Sequence, residues 1–333
     1  MDDQDAIKEY TDFFMVLDDT FFRYAALGLK TIGHFHPQSR VFLYDLSPSP
    51  SARFQQLAGE WANAHYRHWP EKNWIKVHWV DTLDFAYFHR KFNWRDQIKY
   101  LSRKWRHQWL GQYKDDWILE KKLFAEQRKR AIHIWVQKAS CCLDCFTRTE
   151  RNLVYLDADA FIWRRVDPVF QRDFDIGLTL RRLKDIKIGE DVSVRTFEKI
   201  PYHAVNAGVI YFRNTLAAKS FVEAWIFKMH NMKYFIIDQT ALSQMIYEAD
   251  PEAFHQYEKV ISFPMDQNRA AKVLMLPCEQ YNNIYIKDDF FFDEPNPFVV
   301  HLKGYLHQEK YFQSIADLVE RRISSTPRGF LVK

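Results

Sequence analysis

Apolar positions along the chain fall into short unbroken runs separated by amphipathic stretches. Phe13 to Leu17 (FFMVL) is the first run, closed by Asp18-Asp19-Thr20; it predicts a buried strand and a turn. Phe22 to Phe35 carries helical spacing and Pro37 stops it. Arg40 to Leu46 predicts a second strand, Ser47 to Ser51 (SPSPS) a loop, Ala52 to His68 a helix, and Trp74 to Val80 a third strand. This alternation predicts an α/β fold with a mostly parallel sheet and crossover helices.

From Phe92 to Val136 the rhythm changes to a long, charged, Trp-rich helical pattern. Gln137 to Phe146 reads as a further helix. Strands follow at Asn152 to Leu156, Asp175 to Leu180 and Val205 to Phe212, with a polar loop from Arg181 to Tyr202. Thr215 to Met229 and Asp238 to Tyr247 read as helices, and Val273 to Leu276 and Phe298 to His301 as late strands.

Composition narrows the class. With 333 residues, 47% hydrophobic, the chain can bury a large core, and its 9 Gly and 12 Pro are too few for low complexity. Basic and acidic residues number 47 and 43, a balance that argues against nucleic acid as the main partner. Cys141, Cys142, Cys145 and Cys278 form no disulfide framework or well-spaced zinc set; packed thiols in a reducing compartment are expected. No secretory leader or membrane span is read, so a cytoplasmic protein is expected. The aromatic and basic segment from Arg95 to Lys138 leaves a peripheral membrane contact open as an accessory role.

Candidate chemistry begins at Asp157-Ala158-Asp159, which follows an apolar strand. Ligands of open α/β sheets bind outside such strand ends. In extended chain a spacing of two points both carboxylates one way, and two hard oxygen ligands suit Mg²⁺ or Mn²⁺. Asn206-Ala207-Gly208 opens a strand with an amide and a residue that permits close backbone approach. Asp238-Gln239 opens a helix, where Asp238 could be an N-cap. His301 ends an apolar strand, with Lys303 and Gly304 after it.

In this order the motifs resemble the GT-A glycosyltransferases, most closely family 8, across roughly residues 13 to 310. The resemblance implies a Rossmann-like domain over residues 11–312 with a helical insertion at about 92–136, then a C-terminal helix and tail over 313–333. It implies a nucleotide-sugar donor, with UDP preferred, held by Asp18, Asp19, Thr20, Lys138, Asn206, Ala207, Gly208, Lys303 and Gly304. It further implies a metal, Mn²⁺ or Mg²⁺, on Asp157, Asp159 and His301, and a reacting centre at Asp238 and Gln239. Retention of the anomeric configuration is expected on the same ground, and the acceptor would be a glycan, a lipid-linked saccharide or a protein side chain. The chain departs from the family pattern at Thr20-Phe21 and at His307, where family 8 usually has Asn-Tyr and a phosphate-binding Lys.

Other classes fit less well. A sugar nucleotidyltransferase would carry a Gly-rich loop near its first strand, and Leu17 to Tyr24 has no Gly. A phosphatase with a nucleophilic Asp-x-Asp would place the motif early. An anionic-surface binding module leaves the Asp-x-Asp unexplained. For inversion a carboxylate base is needed, and Glu190 or Asp191 could supply one.

Overall fold

The computed structural model describes residues 10–76, 132–181, 204–232, 237–265, 269–282, 296–301 and 309–326. Most of the expected 92–136 insertion lies outside them, as do Glu190, Asp191, Lys303, Gly304, His307 and the end of the C-terminal tail.

β1 (Thr11–Leu17) is buried along its whole length, as expected of a strand covered on both faces. α1 (Phe22–Phe35) follows, then β2 (Val41–Asp45), α2 (Ala52–Glu60) and β3 (Ala64–His68). The expected helix over Ala52 to His68 is therefore cut short. Ser51 caps its start and the chain turns at Trp61, so that Ala64 to His68 pairs in parallel with β2 as an edge strand. This segment is the strand that follows α2; of the strand expected over Trp74 to Val80, Trp74 to Lys76 form none and 77–80 lie outside the described residues.

Helix α3 covers 132–146 and leads into β4 (Asn152–Leu156). Next come β5 (Ala160–Ile162), β6 (Ile176–Leu180), β7 (Val205–Phe212), α4 (Leu216–Asn231) and α5 (Ile237–Ala249). The described chain closes with β8 (Val260–Pro264), β9 (Ala270–Pro277), the short α6 (Cys278–Tyr281), β10 (Val299–His301) and α7 (Glu309–Ser325).

The eight-stranded sheet runs β3-β2-β1-β4-β7-β6-β9-β8, and β5 pairs with β10 in a separate antiparallel ribbon. β3, β2, β1 and β4 are mutually parallel; β7 and β8 run against the rest. The alternation of β1 serves both faces. Phe13, Met15 and Leu17 join the core under α1 and α2, while Phe14 and Val16 join the core under α3, α4 and α5. A third cluster seats α7 through Ile315 and Val319 on Tyr24, Phe161 and Val300, and Arg322 Nη2 donates to the Trp163 carbonyl at 2.8 Å. No helix among the described residues is long and apolar enough to cross a membrane.

One buried histidine makes this fold acid-sensitive. His36 Nε2 accepts the Val166 N–H at 3.0 Å, so the ring must be neutral there. Burial, only partly opposed by Asp167, lowers its pKa from 6.5 to about 4. Unfolded chain therefore binds a proton that the folded chain refuses. His36 stabilisation is complete above pH 6.5 and is lost as pH falls toward 4, a total of about 3 kcal/mol. Urea midpoints across that window should fall in the native protein, and less steeply in His36→Gln; parallel slopes would clear His36 of the effect.

Candidate functional site

The order of strands reverses between β1 and β4, because β2 lies on one side of β1 and β4 on the other. The crevice outside the C-terminal ends of such strands is where open α/β sheets bind ligands. Asp18 follows β1 and Asp157 follows β4, so both candidate motifs flank this switch point.

On the β1 side, Asp18 accepts from the Thr20 amide at 3.0 Å and starts a 3₁₀ turn, Asp19–Phe21. The Asp19 carboxylate accepts from Ser51 Oγ at 2.6 Å, and its amide donates to Ser47 Oγ at 3.1 Å. Buried Asp45 anchors that serine loop by accepting from the Ser47 and Ser51 amides and the Tyr66 hydroxyl. The Asp18–Thr20 turn thus rests on a fixed second loop.

On the β4 side, Asp157 and Asp159 do not lie in extended chain as expected. The Ala160 amide bonds to the Asp157 carbonyl at 2.9 Å, closing a turn. That turn and the β5–β10 ribbon bring the carboxylates to His301, which stands opposite Ala160 in the ribbon register. His301 Nε2 lies 3.6 Å from Asp157 Oδ2 and 3.2 Å from Asp159 Oδ1. One ligand atom from each of the three residues lies within 4.8 Å of the others.

The two oxygens of Asp157 face different partners. Oδ1 accepts from the Tyr155 hydroxyl and pairs with Lys138 Nζ at 3.0 Å; Oδ2 faces His301. Lys138 also pairs with Asp238 Oδ2 at 2.9 Å. Burial alone would lower the Lys138 pKa, but Asp157 and Asp238 outweigh it and the net shift is upward, keeping the ammonium charged. For Asp157 burial pushes up, while Lys138 foremost, with the Tyr155 hydroxyl, pulls its pKa below the usual carboxylate value. Asp238 sits inside the first turn of α5, with its carboxylate committed to Lys138 and its carbonyl held by Trp225 Nε1 at 2.9 Å. Three carboxylates and one ammonium leave this cluster with two uncompensated negative charges.

Asn206, Ala207 and Gly208 lie in a bulge. Leu178 of β6 stands opposite Ile210 while Thr179 stands opposite Asn206, so the intervening residues of β7 arch from that ladder. The arch sends the Gly208 carbonyl to the Asp157 amide at 2.8 Å. A Cβ on Gly208 would fall 2.1 Å from His301 Cε1 and 2.8 Å from Asp157 Oδ2. Asn206 Oδ1 accepts from the Gly208 amide at 3.0 Å, while its buried Nδ2 has no partner among the described residues. Gln239 is buried beside Asp238 at the start of α5.

Sequence reasoning missed three contributors. Tyr155 was findable, since it lies two residues before Asp157 on the same strand face. Asp45 ends a strand like many acidic residues. Asn282, whose Oδ1 lies 2.9 Å from His301 Nδ1, follows a short helix with no signal of its own.

Comparison with known proteins places the chain. Solved structures similar to it include the galactosyltransferase LgtC in complex with donor and acceptor sugar analogues (14% identity, TM-score 0.45, covering 97% of this chain and 98% of that one). The glycosyltransferase GlyE of Streptococcus pneumoniae TIGR4 matches at 12% identity and TM-score 0.46, over 96% of this chain but only 64% of that one. Mouse xyloside xylosyltransferase 1 matches at 11% identity and TM-score 0.42, over 88% of this chain and 98% of that one. No curated protein matches in sequence. The family model for nucleotide-diphospho-sugar transferases matches residues 98–311, more than half of the 333. That stretch runs from before Lys138 to beyond His301, and the chain accordingly belongs to the nucleotide-diphospho-sugar transferase family as a glycosyltransferase of the GT-A fold.

Proposed function

We propose that the protein transfers a hexose from a UDP-sugar to a hydroxyl acceptor, depends on a divalent cation, Mn²⁺ or Mg²⁺, and retains the anomeric configuration. The observation that carries the cation is the convergence of three ligand atoms, two of them carboxylate oxygens, within 4.8 Å. The donor set of Asp157, Asp159 and His301 suits Mn²⁺, and the uncompensated charge of the enclosed cluster matches a divalent ion. When bound, the cation would neutralise charge growing on the departing diphosphate.

The remaining roles belong to the chain's own side chains. Asp18, Asp19 and Thr20 hold the base and ribose, on the turn that Ser47 and Ser51 brace. Lys138 fixes Asp157 and Asp238 in one geometry and adds positive charge beneath the donor. The free Nδ2 of Asn206 is a buried donor without a partner, which supports its assignment to a sugar hydroxyl. Asp238 takes a second hydroxyl; Ala207 and Gly208 give the donor room against β7. Gln239 lies next to the reacting face, and an amide cannot act as a base. Front-face attack, with the leaving phosphate taking the acceptor proton, fits this residue. Lys303 and Gly304, outside the described residues, keep the donor-binding role that the resemblance implies.

Isothermal titration of UDP tests the reading. Native protein should bind UDP with Mn²⁺ and at least about 100-fold less tightly without it, and the Asp157→Ala, Asp159→Ala double variant should lose the metal effect. Equal UDP affinity with and without metal in the native protein would remove the metal assignment.

A further inference from the structure

His301 can present a lone pair to the cluster only if its other nitrogen carries the hydrogen. A chain of hydrogen bonds of one direction decides this. The Thr179 hydroxyl donates to the Asn206 carbonyl at 2.9 Å, so its lone pairs are what Asn282 Nδ2 meets at 2.7 Å. The same Nδ2 also faces the Asn206 carbonyl at 3.5 Å, which would repel an oxygen in its place. The amide of Asn282 is therefore oriented with Nδ2 toward β6 and β7 and Oδ1 toward His301. At 2.9 Å that Oδ1 can only accept, so His301 Nδ1 donates and Nε2 is the nitrogen that faces Asp157 and Asp159, presenting its lone pair to them when the ring is neutral.

All four residues are enclosed. Asn206, Thr179 and Asn282 are 0% exposed and His301 1%. The Asn282 backbone is fixed as well, because its amide donates to the Cys278 carbonyl at 2.9 Å as the cap of α6. Donation runs from the imidazole beside the carboxylates, through Asn282 and Thr179, to the Asn206 carbonyl on the bulged segment of β7.

We propose that Asn282 is a positioning residue for the reaction: it selects the Nδ1–H tautomer of His301 and fixes the ring so that Nε2 is a neutral ligand for a divalent cation. The inference rests on the metal reading above. Partners of this kind on ligating histidines typically set metal affinity by about 10- to 100-fold. Asn282→Leu removes the acceptor and leaves His301 Nδ1 bare. Asn282→Asp keeps an acceptor for Nδ1–H and should rescue, although it loses the bond to Thr179.

The probe is Mn²⁺, titrated in the presence of saturating UDP and followed by the electron paramagnetic resonance of the free ion. Long-range proton–nitrogen correlation of the imidazole in metal-free protein, at alkaline pH so that the ring is neutral, gives a second readout. The native ring should show the hydrogen on Nδ1. Asn282→Leu should show mixed tautomers and about 10- to 100-fold weaker Mn²⁺, with Asn282→Asp within a few-fold of native. If native protein takes up Mn²⁺ at Asp157 and Asp159 yet Asn282→Leu binds it equally well, the positioning role falls and the metal site stands. If native protein binds no Mn²⁺, both fall. A native ring carrying its hydrogen on Nε2 overturns the proposal without any variant, which covers the case where Asn282→Leu does not fold.

Discussion

Gly208→Ala is expected to abolish metal-dependent nucleotide binding while leaving the sheet folded. The added methyl would lie 2.1 Å from His301 Cε1, 2.6 Å from its Nδ1 and 2.8 Å from Asp157 Oδ2. None of these atoms can yield freely. The ring is buried and tied to Asn282, and Asp157 is tied to Lys138 and Tyr155. Relief must come from moving His301 away from the carboxylates or from lifting β7 off β4. The first costs the convergence of ligands; a displacement of about 1 Å is enough to reduce catalysis by about 100-fold. The second costs about 1–3 kcal/mol of overpacking, which a sheet of this size survives. Transfer activity and Mn²⁺-dependent UDP titration should both collapse while the circular dichroism spectrum stays native. A variant that binds Mn²⁺ and UDP normally would show that His301 is not a ligand or that the strand relaxes at no cost.

Lys138→Met is expected to produce the largest loss of stability of any single change at the site. Lys138 Nζ lies 3.0 Å from Asp157 Oδ1 and 2.9 Å from Asp238 Oδ2, and its side chain is 8% exposed. Breaking a buried pair by removing one partner costs about 3–5 kcal/mol, because the other charge stays buried without compensation. Here two carboxylates are stranded at once. Urea unfolding of metal-free protein should show the loss, and adding Asp238→Asn to the Lys138→Met background should recover part of it. Mn²⁺ should raise the unfolding midpoint more in Lys138→Met than in the native protein, since the cation then supplies the positive charge that Lys138 no longer gives Asp157. A loss under about 1 kcal/mol would mean that water reaches the cluster and screens it.

Strands buried on both faces were legible because burial leaves no polar alternation to interpret. β1 and β4 read as apolar runs, β7 as a strand whose apolar run begins after Gly208, and the structure places strands there. β3 was lost because AHYRH is a half-exposed edge whose polar residues continue the helical pattern of α2. β8 alternates between exposed and buried positions over five residues, too few to declare themselves. The Asp157, Asp159 and His301 motifs were visible one by one, but their meeting depends on the β5–β10 ribbon, and a three-residue strand such as AFI carries almost no periodicity. The double engagement of Lys138 was likewise hidden. A basic residue on a helix announces charge, not which carboxylates the packing of α3 against β4 and α5 will bring to it.

The β5–β10 ribbon joins residues that leave the ribosome far apart in time. Asp157 and Asp159 emerge with the middle of the chain, whereas the strand that supplies His301, and the helix α7 that clasps it through Arg322 and Trp163, come near the end. At about 5–20 residues per second the interval is several seconds at least. Through that interval β1 to β4 can already pair in parallel while the third ligand atom is still missing. On the proposed metal reading, a nascent chain could not close the three-residue cluster before β10 docks, and capture of the cation would report that synthesis has passed His301.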